Sequence, residues 1–504
     1  MQKGAVDEEA RAPLLKEETR RDGFGDIKPN EGAQSRRRRP SSFSCWLGLA
    51  MLAIVVVTGG ALALHCCQCR HRNRGTPAVE VESGLWAQAR LGLSAKKPYS
   101  PLGLDNGLGL TPPMGWNSWN TLACNVDEES VRAAADLIVD LGLKDLGYTY
   151  VNVDDCWHGE RLSNGSITHD AVKFPSGIKA LADYVHSKGL KFGIYSDAGQ
   201  KTCAGRPGSW GYEVIDAATY AEWGVDFLKY DNCFCDGDCP GVKEKYPVMR
   251  EALNATGRPI FFSMCEWGVE DPATWARPIA NSWRTTPDIA PLWTSVVNIT
   301  KENNRWAPYA GPGGFNDPDM LEVGVPANVY GPGLTAEEER THFVLWALMK
   351  SPLLIGADLR SISQHSLDLL MNKHIIAVNQ DPLGVQGTLV SVGPDNPNAQ
   401  VWAGPLSEGP ALAVALHNSG DLSEATVSVN LARLGIPSGR VVRVIDLLDG
   451  GGHLGDFTGS YSASVAPHDV HFVRVEVVND ADVLPVKPLV NCGRFDSARR
   501  WLLV

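Results

Sequence analysis

From about residue 108 to 382 short apolar runs alternate with amphipathic stretches. YTYVNVDD (148–155), LKFGIYSD (190–197), VDFLKYD (225–231), RPIFFSMCE (258–266), NSWRT (281–285) and SPLLIGAD (351–358) read as strands, while GIKALADYVHSKG (177–189) and YEVIDAATYAEWG (212–224) carry apolar residues at helical spacing. Asp127 is placed to N-cap a helix that ends at Gly142, and Thr335 with Glu338 forms a capping box ahead of HFVLWALMK. Strand and helix alternating over this length predict a (β/α)8 barrel at 108–384. An open doubly wound sheet fits the same pattern, but no GxGxxG phosphate loop supports it. After Asn379-Gln380-Asp381-Pro382 the texture changes to short runs rich in β-branched residues between turn formers, which predicts an antiparallel β-sandwich over 385–477. The tail, 478–504, has no clear pattern, and its Cys492 has no evident partner.

The first hundred residues differ. Residues 1–44 are polar and end near a basic block, Arg36 to Arg39; CWLGLAMLAIVVVTGGALAL (45–64) then runs without a charge for long enough to cross a bilayer. The basic flank favours a cytosolic tail, a signal anchor and a lumenal remainder, with 65–107 as a stalk. Cleavage near Ala63, after Ala61-Leu62-Ala63, would instead give a secreted protein. The lumenal reading is joined by three acceptor triplets at Asn164, Asn254 and Asn298. A net charge of −12 and a pI near 5.5 argue against a nucleic-acid surface and suit an acidic endomembrane compartment such as Golgi, vacuole or lysosome, or the cell surface.

Chemistry concentrates where the strands end. In VDFLKYD, period-two alternation puts Phe227, Lys229 and Asp231 on one face, so an apolar plug would be followed by a cation and then a carboxylate at a barrel mouth. For this strand alone Asp231 could equally cap the next helix and Lys229 lie on the surface. The ending recurs, however: Asp154-Asp155, Tyr195 with Asp197, Glu266-Trp267, Arg284 with Asp288, and Asp317 with Asp319. A funnel of acids and aromatics suits a pyranose, whose hydroxyls donate to carboxylates and whose C–H face stacks on rings. Glycoside cleavage needs two catalytic carboxyls. No HxH or HExxH motif occurs, so neither a metal nor a cofactor is expected.

LTPPMGWNSWN (110–120), NVDDCW (152–157), GIYSDAGQKTCAGRPGS (193–209), FLKYDNC (227–233), MCEWG (264–268), NSWRTTPDI (281–289) and GGFNDPDML (313–321) together resemble the α-galactosidases of glycoside hydrolase family 27, plant-type branch. The resemblance implies Asp231 as nucleophile, Asp288 as acid/base, and Lys229 and Arg284 as substrate contacts. It further implies Trp119 stacked on galactose, Asp154 and Asp155 on its C4 and C6 hydroxyls, and Tyr195, Cys203, Cys265, Glu266, Trp267, Asp319 and Met320 around the pocket. Trp116 is read as a core aromatic. Disulfides Cys124–Cys156 and Cys203–Cys233 are implied, with Cys265 unpaired. The implied reaction is a retaining double displacement on terminal α-galactosides. Asp288 must hold its proton beside Arg284, which requires neighbouring acids to offset the cation, and an acidic pH optimum follows. Related readings are an α-N-acetylgalactosaminidase, disfavoured by the bulk of Cys265-Glu266-Trp267, and a β-L-arabinopyranosidase; a membrane-tethered galactose lectin is the non-enzymatic one. The expected partners are a carbohydrate substrate, a membrane through one helix, and a second copy in a homodimer; the pattern of the barrel helices does not settle the last.

Overall fold

The computed structural model describes residues 104, 106–235 and 240–478. The spanning segment expected over 45–64 lies outside them, as do the tails. Among the described residues no helix is long and apolar enough to cross a membrane.

The strands that carry the site are β1 (Met114–Asn117), β2 (Tyr150–Asn152), β3 (Lys191–Asp197), β4 (Phe227–Asp231), β5 (Phe261–Met264), β6 (Ser282–Arg284), β7 (Phe315–Asp317) and β8 (Leu353–Ile355). They form one sheet of eight strands in the order β8-β1-β2-β3-β4-β5-β6-β7, every pairing parallel. Just past β7, Leu321 bridges in parallel to Ile355; its N–H donates to the Leu354 carbonyl at 2.8 Å and its carbonyl accepts from Gly356 at 3.1 Å. The two ends of the sheet are thereby joined, and the domain is barrel-like.

Alternation along the strands divides the residues as the sheet requires. Val151, Leu228, Tyr230, Phe262, Met264 and Trp283 face outward into the main core. That core is shared with helices α1 (Glu128–Asp140), α2 (Ile178–Ser187), α3 (Glu213–Trp223), α4 (Val242–Ala255), α5 (Trp293–Asn304) and α6 (Ala336–Leu348). Inside, Tyr150, Phe227, Phe261, Met320 and Leu354 form a separate apolar cluster. The rings of Phe227 and Phe261 stack at 4.9 Å and Tyr150 meets Phe227 edge-on at 5.4 Å, so the interior is plugged with packed side chains rather than left as a channel. Gly193, between Asn152 and Phe227, has no room for a side chain: a Cβ there would lie 1.9 Å from Asn152 Oδ1.

Both capping boxes form, Asp127 with Ser130 and Thr335 with Glu338. The first helix ends at Asp140, two residues before the expected boundary, because Gly142 takes a left-handed φ of 77° just past the cap. Strands β1 and β7, 4 and 3 residues long, are not among the strands read from the sequence.

The C-terminal domain has strands β9 (Thr388–Val392), β10 (Ala399–Leu406), β11 (Ala411–Asn418), β12 (Ala425–Asn430), β13 (Val442–Asp446), β14 (His453–Phe457), β15 (Ser460–Val465) and β16 (Val470–Val477). Six of them form an antiparallel sheet, β9-β10-β11-β16-β13-β14, and β12 pairs with β15 in a second. Val401, Leu412 and Val414 meet Val427 and Val429 between the sheets. The other face of the larger sheet, with Trp402, Ala415 and Phe472, joins the core beneath the barrel helices. Arg340 of α6 clamps the contact with two bonds to Asp469, at 2.8 and 3.2 Å.

Candidate active site

Above the apolar plug, the next inward positions on the same strands are polar. Asn117, Lys229, Ser263, Cys265, Arg284, Asp317 and Asp319 line one pocket, whose floor is Phe227, Met320 and Leu354. The polar groups come from the C-terminal ends of β1, β4, β5, β6 and β7 or from the residues just beyond, the end at which such sheets carry their chemistry.

Two carboxylates are anchored on one side. Asp154 Oδ2 accepts from Lys229 Nζ and from Asn117 Nδ2, both at 2.8 Å. Its Oδ1 accepts the Asp155 N–H at 2.9 Å. Asp155 accepts the N–H of Cys156 at 2.6 Å and of Ala204 at 2.9 Å. Burial works against the charge on Lys229, but Asp154 together with Asp231 and Asp319 outweighs it and holds the ammonium protonated. Two disulfides, Cys124–Cys156 and Cys203–Cys233, brace the loops beyond these strands.

Asp231 stands at the end of β4 and is 5% exposed. Tyr195 donates its hydroxyl to Oδ2 at 3.0 Å, and the Asn232 N–H donates to Oδ1 at 3.0 Å. Burial pushes the carboxyl up to about 6 against the pull of Lys229, and the charge of Asp288 adds to the rise. Across the pocket Arg284 is buried, and its Nη2 reaches Asp288 Oδ1 at 2.8 Å and Asp319 Oδ2 at 3.0 Å. Asp319 in turn accepts the Ile289 N–H at 2.9 Å, which fixes the segment that follows Asp288. The Asp288 side chain itself is 70% exposed. Burial of its carboxyl acts upward, but the charge and hydrogen bond of Arg284 win and hold Asp288 below the usual carboxylate range. This reverses the expectation that neighbouring acids would offset Arg284. In the free site the proton belongs on Asp231.

Trp119, in a short helix at Trp119–Leu122, packs half-buried against the interior cluster, whose member Met320 forms part of the pocket floor. Trp116 is buried and donates to the Ala357 carbonyl at 2.9 Å, as a core residue would. Cys265 is a buried free thiol 3.5 Å from Arg284. Trp267 adopts φ 58° and interacts with the Asp288 carboxylate. Cys203 Sγ, in its disulfide, lies 3.2 Å from the Tyr195 hydroxyl, whose proton goes to Asp231, at the edge of the site. Glu266 is not brought in. It is fully buried with neither oxygen hydrogen-bonded, and burial pushes it up to about 8. Parity explains the difference: inward Phe261, Ser263 and Cys265 leave the adjacent Glu266 facing the other way.

Three groups complete the arrangement: Asp197 and Asp317, which the sequence places at strand ends without a role of their own, and Asn117, which it does not single out. Asn117 orients Asp154, Asp317 lines the pocket and is pushed up to about 6 by burial, and Asp197 lies buried behind Asp231. Parity carried across neighbouring strands would have found Asn117. Asp197, Cys203, Asp231 and Cys233 converge within 4.8 Å, a spacing that could hold a metal. The two sulfurs are bonded to each other, which removes the thiolates a metal would need. The expected acceptors Asn164, Asn254 and Asn298 all have exposed side chains.

Comparison with known proteins supplies the rest. Residues 111–381 match the sequence family described as alpha galactosidase A, and residues 396–475 match the alpha galactosidase C-terminal beta sandwich domain. Alpha-galactosidase 3 of Arabidopsis thaliana is 53% identical over 76% of this chain and 86% of its own length. The alpha-galactosidase of Cyamopsis tetragonoloba is 54% identical over 68% and 81%. Among solved structures, alpha-galactosidase I from Mortierella vinacea superposes with a TM-score of 0.70 at 39% identity, covering 74% of this chain and 98% of that one.

Proposed function

Because this chain belongs to the alpha-galactosidase family, glycoside hydrolase family 27, we propose that Asp231 and Asp288 carry out its reaction as nucleophile and acid/base. The reaction is hydrolysis of terminal α-galactosyl residues. Asp231 attacks the anomeric carbon, the glycosidic C–O bond breaks, and Asp288 gives its proton to the leaving oxygen. Asp288 then takes a proton from water, the water oxygen forms the new bond to the anomeric carbon, and Asp231 leaves. Two inversions retain the α configuration.

One observation carries the assignment: a carboxylate held by Tyr195 and a second held by Arg284 stand close enough for the charge of one to act on the other, beside a pocket that Lys229, Cys265 and Arg284 line. In this reading Asp154 and Asp155 accept hydroxyl protons of galactose, with Lys229 beside them. Trp119 stacks on the apolar face of the sugar, and Cys265 with Trp267 borders the 2-hydroxyl, where an acetamido group would not fit. A sugar that draws hydrogen bonds from Arg284 and shuts water away from Asp288 loosens the hold that keeps Asp288 ionised, and the proton moves to where it is needed.

Aryl α-galactoside, α-N-acetylgalactosaminide and β-L-arabinopyranoside, compared with the released anomer followed by proton NMR, test this. The α-galactoside is to be preferred, with α-galactose appearing first. Asp231→Asn is to be inactive. A well-folded protein that binds galactose and cleaves none of the three would leave only the lectin reading.

The barrel-like sheet is read as a closed (β/α)8 barrel, and residues 45–64 as a signal anchor that places the enzyme in the endomembrane lumen or at the cell surface. The two disulfides and three exposed acceptor asparagines support an oxidising compartment. Protease protection in sealed microsomes, with glycosidase-sensitive mobility, is the expected result; a full-length chain digested from the cytosolic side refutes it.

A further inference from the structure

Asp197 closes β3 in register with Asp231 on β4, yet it is fully buried and is not among the residues that line the pocket. Its Oδ1 accepts the Gly199 N–H at 2.6 Å and its Oδ2 accepts the Cys233 N–H at 2.9 Å. Those two amides belong to the two loops that the Cys203–Cys233 disulfide joins, and Cys203 Sγ lies 3.8 Å from the same Oδ2. The loops also touch directly: a Cβ on Gly199 would fall 1.9 Å from the Cys233 carbonyl. Two further main-chain bonds complete the lock, Ala198 N–H to the Asp231 carbonyl and Ser209 N–H to the Asp197 carbonyl, both at 2.9 Å.

We propose that Asp197 is a positioning residue for the nucleophile. It seats the disulfide loop against the end of β3 and so fixes the backbone from Asp231 to Cys233, including the Asn232 N–H that orients the Asp231 carboxylate. The inference rests on Asp231 being the nucleophile. The action is one of shape: burial and the charge of Asp231 push Asp197 up to about 8, so across the acidic range it stays neutral and adds no second charge behind the site. Asn is therefore a charge-matched replacement whose amide nitrogen must face one of the two N–H donors.

The test is Asp197→Asn, with Asp197→Ser as a second variant that leaves room for a water to accept one N–H. Competent sites are counted with a fluorinated galactosyl fluoride that traps the galactosyl-enzyme, and the labelled residue is identified by peptide mass. Per titrated site, kcat on an aryl α-galactoside is expected to fall about 10- to 100-fold, as small misplacements of reacting groups do, with KM changed less than about twofold. A purely structural role lowers the number of titratable sites and leaves kcat per site unchanged, which overturns the proposal. Label on a residue other than Asp231 overturns the nucleophile assignment instead. If neither variant folds, hydrogen exchange of the wild type decides: Gly199 and Cys233 amides protected like strand amides support the lock, and exchange at the rate of exposed loops refutes it.

Discussion

The two carboxyls proposed as the catalytic pair, Asp231 and Asp288, have opposed environments and must share one proton for the reaction. Asp231 is pushed up to about 6 by burial, while Arg284 holds Asp288 low. The two interact, so the pair loses protons in macroscopic steps that belong to both. Below the lower step both are protonated and no nucleophile exists. Above about 6 both are ionised and no acid remains. Turnover needs the state between, so kcat/KM for the free enzyme should peak at acidic pH and fall about tenfold per unit once pH rises well past 6. A profile flat to pH 8 would refute the assignment. Lys229 adds a second prediction. It pairs with Asp154 inside the pocket, so Lys229→Met leaves a buried carboxylate without its cation. That change should cost at least about 3 kcal/mol in kcat/KM or stability, read together from kinetics and melting of the same preparation.

At the scale of elements, the barrel interior admits little variation. Gly193→Ala drives a methyl into Asn152 and toward Phe227, and overpacking of this kind costs about 1–3 kcal/mol. A lower denaturant midpoint with an unchanged slope is the expected readout. Much of this level was legible beforehand. Period-two alternation placed Phe227, Lys229 and Asp231 on one inner face because burial on both sides of a strand leaves that pattern intact. Caps at Asp127 and Thr335 were legible because their hydrogen bonds are local. What escaped was non-local or brief. Strands β1 and β7 lie in motifs without an apolar alternation, and Asp197 stands at a strand end with one of its two partners, Cys233, on another loop. Glu266 was carried into the site by its motif, although one residue of parity turns it away. The pair acidities escaped too, since Arg284 reaches both Asp288 and Asp319 only in three dimensions.

For the whole molecule, burial sets a pH dependence of stability that can be derived by sign. Asp197 and Glu266 are pushed up to about 8 and Glu322 to about 9, each chiefly by burial. Each is protonated in the folded protein and ionised in the unfolded chain from about pH 5 upward, so its stabilising effect is lost as pH rises toward its folded value. Burial acts oppositely on His158 and His342, lowered to about 3, and on His417, lowered to about 4. Those three favour the unfolded chain only below about 6.5, where it takes up their protons. The opposing groups therefore partly cancel at acidic pH. Between about 6.5 and 8 the histidines of the unfolded chain shed their remaining protons and Lys350, lowered by burial to about 8, begins to oppose, but the three buried acids outnumber them and set the sign of the slope. One net proton over one pH unit is about 1.4 kcal/mol, or about 2–4 °C in Tm for a domain of this size. Melting temperature should thus fall by at least that much between pH 6.5 and 8, measured at constant ionic strength. Glu322→Gln should flatten the slope, because it keeps the bond from Asn120, 2.7 Å long in the parent, while removing one ionisation. A Tm that rises over the same interval would mean that these acids are ionised in the folded protein. The same burial that builds the site would then have to be offset by solvent reaching them, and the acidic preference of fold and reaction would no longer share a cause.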